Sequence, residues 1–157
     1  MPAPSDFSIL TRGYRNNPGL ILLHGFLGSS EEWLPVAEKL GSDYYCMLFD
    51  LPGHGRTPAG TNSFEEQMRQ LADAIGRKQD SPSFLAGYSM GGRIALYLAL
   101  RFPYLFRKTV IISASPGLKT AEERLQRQNS DASLALSIEE NFEKFLDCWY
   151  GLPLFSS

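Results

Sequence analysis

Apolar residues run through this sequence in two rhythms that take turns. Short unbroken stretches, Leu20-Ile21-Leu22-Leu23, Tyr44-Tyr45-Cys46-Met47-Leu48-Phe49, Ser83-Phe84-Leu85-Ala86 and Lys108-Thr109-Val110-Ile111-Ile112, have the length and the aliphatic or β-branched content of buried strands. Between them, apolar side chains return every three or four residues. Trp33, Val36, Ala37 and Leu40 share one helical face after Ser29 and Glu32, and Phe64, Met68, Leu71 and Ile75 share another after Ser63 and Glu66. Both polar pairs have capping-box spacing, in which the serine hydroxyl and the glutamate carboxylate satisfy N–H groups that the first turn leaves unpaired. A third helix, Ile94-Ala95-Leu96-Tyr97-Leu98-Ala99-Leu100, is apolar almost all round. Continuous apolar strands alternating with helices predict an α/β fold, with a mostly parallel sheet covered by helices on both faces.

The rhythm changes after Ser113-Ala114-Ser115-Pro116-Gly117. Thr120 and Glu123 form a capping box that opens a charged helix bearing Glu122, Arg124 and Arg127. Ser137 and Glu140 repeat the spacing and predict the start of another helix, whose Phe142, Phe145, Leu146 and Trp149 make an apolar stripe. Two helices without a strand between them predict a lid, because insertions in α/β proteins commonly sit over the C-terminal ends of the strands, where ligands bind. The sequence therefore divides into a core part at 1–116 and a helical lid segment at 117–157, with no internal repeat.

Composition narrows the partners. With 157 residues and 43% hydrophobic content the chain can bury a substantial core. Fifteen Lys+Arg against seventeen Asp+Glu give a formal net charge of -2, so no overall basic field favours nucleic acid or anionic membrane. Apolar runs fall short of membrane-spanning length, and Met1-Pro2-Ala3-Pro4-Ser5-Asp6 lacks a basic region followed by an apolar one, which predicts a cytoplasmic protein without membrane insertion. Cys46 and Cys148 lack metal-ligand spacing and read as packed, reduced thiols. The two histidines, His24 and His54, are as scattered, so neither a metal nor a cofactor is expected.

The candidate chemistry sits in Gly87-Tyr88-Ser89-Met90-Gly91, a G-x-S-x-G pattern between an apolar strand and an apolar helix. A strand that turns abruptly into a helix strains the residue at the turn, and glycines are needed where neighbouring chains pass close. Ser89 then projects its hydroxyl at a helix N-terminus, where the helix dipole and backbone N–H groups favour developing negative charge. Arg93 is one turn further on. In so apolar a helix its charge is costly to bury without an anionic partner, which is either a local carboxylate or a carboxylate-bearing ligand held by the planar guanidinium.

His24-Gly25-Phe26 after the first apolar strand, Asp50-Leu51-Pro52-Gly53-His54-Gly55 after the next, and Gly87-Tyr88-Ser89-Met90-Gly91-Gly92 together resemble the α/β-hydrolase superfamily. The resemblance implies an α/β-hydrolase fold, Ser89 as the catalytic hydroxyl, and backbone N–H groups of Phe26 and Met90 as the oxyanion hole. It implies loop-shaping roles for His24 and His54. Within the superfamily, Gly87 to Arg93, Ser115-Pro116-Gly117-Leu118, Glu123-Arg124, Arg127-Gln128, Trp149-Tyr150 and Pro153-Leu154-Phe155 look like the 2-succinyl-6-hydroxy-2,4-cyclohexadiene-1-carboxylate synthases of menaquinone and phylloquinone biosynthesis. That similarity implies a lyase that eliminates pyruvate from 2-succinyl-5-enolpyruvyl-6-hydroxy-3-cyclohexene-1-carboxylate, a small-molecule polycarboxylate. Tyr88, Arg93, Arg127 and Trp149 would then bind substrate. Taken by themselves, Arg127 reads as part of a solvated helix face and Trp149 as part of a lid core.

One departure from the superfamily matters for the chemistry. Its chain order is serine, then acid, then histidine, and no histidine follows His54 here. Asp131, Glu139, Glu140, Glu143 and Asp147 fall in the predicted lid helices rather than after a core strand. The expectation is a sequence shortened at its C-terminal side relative to the family, inactive or nearly so by itself, because a serine hydroxyl without its base reacts orders of magnitude more slowly. A carboxylesterase-type serine hydrolase and a non-catalytic hydrolase-fold product remain the competing classes.

Overall fold

The four apolar runs form four strands of one five-stranded sheet in the computed structural model, which describes residues 7–152. The strands are β1 (Ile9–Arg12), β2 (Gly19–Leu23), β3 (Tyr45–Phe49), β4 (Ser83–Tyr88) and β5 (Phe106–Ile112), in the order β1-β3-β2-β4-β5. Pairing is parallel from β3 through β2 and β4 to β5, while β1 runs antiparallel along β3. Helices α1 (Leu34–Leu40), α2 (Phe64–Lys78) and α3 (Met90–Arg101) make the connections. Met1-Pro2-Ala3-Pro4-Ser5-Asp6 and the Pro153-Leu154-Phe155 motif lie outside the described residues.

Alternate residues of the central strands build two apolar layers, as the period of two in a strand requires. Leu20, Leu22, Cys46, Leu48 and Ala86 pack with Ala37 of α1 on one face. Ile21, Leu23, Met47, Phe49 and Leu85 pack with Met68, Leu71 and Ile75 of α2 and Ile94, Ala95 and Leu98 of α3 on the other. Strands buried on both sides explain the unbroken apolar runs. The β5 strand lies at the sheet edge and is less covered, with Val110 and Ile112 exposed.

Several local expectations need correction. The segment after Ser29 opens as a 3₁₀ turn at Ser30–Trp33 before α1, with Pro35 in the first turn of α1, and the Ser29 hydroxyl accepts from the Glu31 N–H rather than making the full box with Glu32. The Ser63 cap accepts from the Glu66 N–H at 3.3 Å as its spacing predicts. Phe64 and Val36, expected on buried faces, are exposed. The sequence rhythm gave no sign of β1, a half-exposed edge strand of mixed polarity, or of the 3₁₀ turn at Pro103–Leu105.

The chain divides into two units at Met1–Pro116 and Gly117–Ser157. The second contains α4 (Ala121–Glu140) and α5 (Phe142–Tyr150). The Thr120–Glu123 capping box forms with both hydrogen bonds, at 3.1 and 2.9 Å. The Ser137–Glu140 pair does not: Ser137 lies inside α4, where its hydroxyl donates to the Ser133 carbonyl at 3.0 Å. Asn141 starts α5 instead, accepting from the Lys144 N–H at 2.9 Å. Serine pays for neither role decisively, since its hydroxyl can cap a helix or bond back to the preceding turn. Phe142, Phe145 and Trp149 stack along α5 with centroid separations of 6.2 and 5.8 Å. Cys46 is buried, but Cys148 is exposed, against the expectation of two packed thiols; both are free.

Candidate functional site

Ser89 stands between β4 and α3 with φ 49° and ψ -111°, a positive φ that side-chain-bearing residues rarely adopt. Its N–H donates to the Ile112 carbonyl at 2.9 Å, tying the turn to β5, and its carbonyl accepts from the Arg93 N–H at 3.1 Å to open α3. The flanking glycines allow the turn by their lack of a side chain. A Cβ on Gly87 would collide with the Gly91 carbonyl, and one on Gly91 with the carbonyls of Leu23 and His24. Met90 is the first residue of α3, so its N–H has no acceptor within that helix.

The loop after β2 passes beside this turn. A Cβ on Gly25 would lie 3.1 Å from the Tyr88 ring and 3.7 Å from Ser89 Cβ, which places His24-Gly25-Phe26 against Tyr88 and Ser89. Tyr88 itself is exposed and Phe26 half-buried. His24 is fully buried: its Nδ1 lies 2.7 Å from the Gly25 carbonyl and its Nε2 accepts from the Leu51 N–H at 3.0 Å. Burial pulls its pKa down; the Gly25 carbonyl opposes this, nearby His54 adds to it, and the Asp50 carboxylate opposes it.

Asp50, at the C-terminal end of β3, holds the loop that follows. Its Oδ1 accepts from the Ser30 N–H at 2.7 Å and its Oδ2 from the Arg56 N–H at 3.0 Å. Burial alone would raise its pKa, but these bonds and those from the Ser30 and Ser8 hydroxyls outweigh it and hold the pKa below the usual carboxylate value. His54, carried on that loop, sits 5.2 Å from His24 and 6.1 Å from Phe26 between ring centroids. In the sequence Asp50 stands out only as the head of the Asp50-to-Gly55 motif; its bonds to the Ser30 and Arg56 N–H groups have no local signature.

A cavity of about 540 Å³ in the first unit is lined by His54, Phe64, Met90, Arg93, Ile94 and Tyr97, among others. It brings Met90 and Arg93 to one space. Arg93 is exposed, which corrects the expectation that the apolar helix buries it. Among the described residues its guanidinium has no ion pair or side-chain hydrogen bond, so the local carboxylate partner is absent there. A cation opening on a largely apolar cavity can hold an anionic ligand group.

Arg127 and Trp149 belong to the second unit. Arg127, on α4, is exposed and its Nε donates to Asp131 Oδ1 at 2.7 Å. Trp149 is half-buried on α5 and, with Phe145, Lys144 and Cys148, lines a separate cavity of about 470 Å³ within that unit. Among the described residues no group of three His, Cys, Asp or Glu side chains could hold a metal ion, and no helix is long and apolar enough to cross a membrane.

Known proteins resemble this chain in sequence and fold. The chain is 37% identical over 148 residues to Protein PHYLLO, chloroplastic, of Arabidopsis thaliana, matching 87% of this chain and 9% of that protein. It is 37% identical over 142 residues to the 2-succinyl-6-hydroxy-2,4-cyclohexadiene-1-carboxylate synthase of Yersinia pestis (strain Pestoides F), covering 88% of this chain and 52% of the synthase. The solved structure of MenH from S. aureus superposes with a TM-score of 0.85 at 31% identity over 95% of this chain and 57% of that one. The chain thus spans about half the length of the synthases it matches. The sequence profile of the alpha/beta hydrolase fold matches residues 18–147, through every strand of the parallel sheet and the turn at Ser89. The chain belongs to the alpha/beta hydrolase fold family.

Proposed function

We propose that this chain supplies the serine-bearing half of a lyase site that eliminates pyruvate from 2-succinyl-5-enolpyruvyl-6-hydroxy-3-cyclohexene-1-carboxylate. The observation that carries the reading is Arg93: exposed, without an ion pair among the described residues, one helical turn after Ser89 and lining the same cavity as Met90. The enolpyruvyl group, the succinyl arm and the ring each carry a carboxylate, and a guanidinium matches a carboxylate through two parallel N–H bonds. Similarity to the synthases supplies the rest of the substrate.

Ser89 occupies the nucleophile elbow of the fold, and in this reading its oxygen acts as base. It takes a proton from ring carbon 2, that electron pair forms the C2–C3 double bond, the C3–C4 π pair moves to C4–C5, and the C5–O bond to the enolpyruvyl group breaks. The departing enolate gains a proton to become pyruvate. The N–H groups of Phe26 and Met90 form the oxyanion hole and stabilise the developing negative charge. Tyr88, next to Ser89 in the turn, contacts the substrate. No step calls for a cofactor or a metal, and the reaction belongs in the cytoplasm.

In α/β-hydrolases the histidine that takes the serine proton follows the serine in the chain, whereas His24 and His54 both precede Ser89. The 157 residues by themselves should therefore release pyruvate at a rate lower by orders of magnitude than a site with its triad complete. The test joins this chain to the part of S. aureus MenH that it does not match and follows pyruvate through lactate dehydrogenase. Pyruvate release by the joined protein, with little from the 157 residues, supports the proposal. Turnover of p-nitrophenyl esters without pyruvate would establish a carboxylesterase instead, and neither activity would leave a non-catalytic fold.

A further inference from the structure

His24 is buried where two loops meet, and its two ring nitrogens face opposite demands. The Leu51 N–H points at Nε2 from 3.0 Å, so Nε2 must present a lone pair. Nδ1 lies 2.7 Å from the Gly25 carbonyl, which is itself an acceptor, so Nδ1 must carry the proton. Only the neutral imidazole protonated at Nδ1 meets both. That is the minor tautomer of a histidine side chain in water, and the pairing fixes it.

We infer that His24 is a positioning residue: its Nδ1-protonated neutral ring latches the loop bearing Phe26 to the loop from Leu51 to Thr57, and a second proton opens the latch. Protonated Nε2 would set an N–H against the Leu51 N–H, turning a hydrogen bond into a repulsion at a fully buried ring. The first loop runs His24-Gly25-Phe26 and touches Tyr88 and Ser89 through Gly25, so freeing His24 moves the Phe26 N–H relative to Ser89. Its meaning for catalysis rests on Phe26 being an oxyanion donor, as proposed above.

The charged and titratable groups around the ring set where the latch opens. His54 faces it at 5.2 Å from the next loop, and the Asp50 carboxylate lies at the end of β3 beneath that loop. Burial and His54 oppose a charge on His24, while the Gly25 carbonyl and Asp50 favour it, with a net downward displacement of the pKa. The latch is therefore closed at neutral pH and opens below the ordinary histidine value of 6.5.

Long-range proton–nitrogen NMR on the ¹⁵N-labelled 157-residue chain between pH 8 and pH 5 tests this. At pH 8 the His24 ring should show a protonated Nδ1 and a bare Nε2. The amides of Leu51 and Phe26 should then shift together with the ring, at one midpoint below 6.5. His24→Gln, whose side-chain oxygen can still accept from the Leu51 N–H, should keep both amides near their pH 8 positions and abolish their titration at that midpoint. His54→Gln should keep the titration and move its midpoint upward. An Nε2-protonated ring at pH 8 overturns the inference, as does a Phe26 amide that stays still while His24 titrates or one that still titrates in His24→Gln. The wild-type tautomer decides even if a variant does not fold, and no readout uses turnover, so a failed latch is distinguishable from a failed lyase reading.

Discussion

Replacing Asp50 with asparagine should destabilise the first unit far more than a one-atom change suggests. Asp50 is 2% exposed and both carboxylate oxygens accept backbone N–H bonds, from Ser30 at 2.7 Å and Arg56 at 3.0 Å. Asparagine keeps one acceptor and turns an NH₂ toward the other N–H. The lost bond is to a charged acceptor, worth about 1.5–3 kcal/mol, and the Ser30 or Arg56 N–H is left facing a donor, so a total near 2–4 kcal/mol is expected. For a chain of this size each kcal/mol lowers the melting temperature by about 2–4 °C, giving a fall of roughly 5–15 °C. Thermal unfolding followed by circular dichroism at pH 7 reads it. The pH dependence adds a second check. Because the folded-state pKa of Asp50 is lowered, its stabilisation is complete above the unfolded value of 3.8 and is lost as pH falls through the lower folded value. Asparagine does not titrate, so the gap between the two proteins should close in that acid window. A loss below about 0.5 kcal/mol at pH 7, or a gap that stays constant down to pH 3, would refute the reasoning.

Ser89→Gly relieves a positive φ and should stabilise the fold by about 1 kcal/mol in urea unfolding; a loss of stability would show that the turn is not strained. Gly91→Ala drives a methyl group into the carbonyls of Leu23 and His24 and should cost several kcal/mol, on the order of other severe overpacking, in the same assay. Arg93→Met removes a charge-assisted contact and should weaken calorimetric binding of a succinyl-bearing dicarboxylate by about 10- to 100-fold while leaving the melting temperature within a few degrees. Thr120→Ala breaks a capping box with two formed bonds and should lower the stability of α4 by about 1 kcal/mol, seen as lost helical signal on mild heating.

The strands and the Ser89 turn were legible because each has a strong local cause. An unbroken apolar run can be buried on both sides only in a covered sheet, and Gly87 and Gly91 are excluded from having side chains by the carbonyls they meet. Where two local structures use the same residues, the pattern was ambiguous. Ser137 has the spacing of a cap, yet α4 runs through it: its hydroxyl donates to the Ser133 carbonyl and Asn141 caps α5. The apolar neighbours of Arg93 point to a buried charge needing a partner, but one exposed position per turn lets it reach solvent beside the cavity. The bonds of His24 and Asp50 connect positions 27, 20 and 6 residues apart, and such pairings depend on how the loops fold back. No periodicity records them.

Pyruvate release by the protein formed from this chain and the unmatched part of S. aureus MenH, measured beside its Ser89→Ala counterpart, decides whether the Ser89 hydroxyl carries the elimination. Pyruvate should form together with the cyclohexadiene product, with a loss of about 10³-fold or more without the hydroxyl. Equal release from both proteins would contradict a serine-based elimination at Ser89.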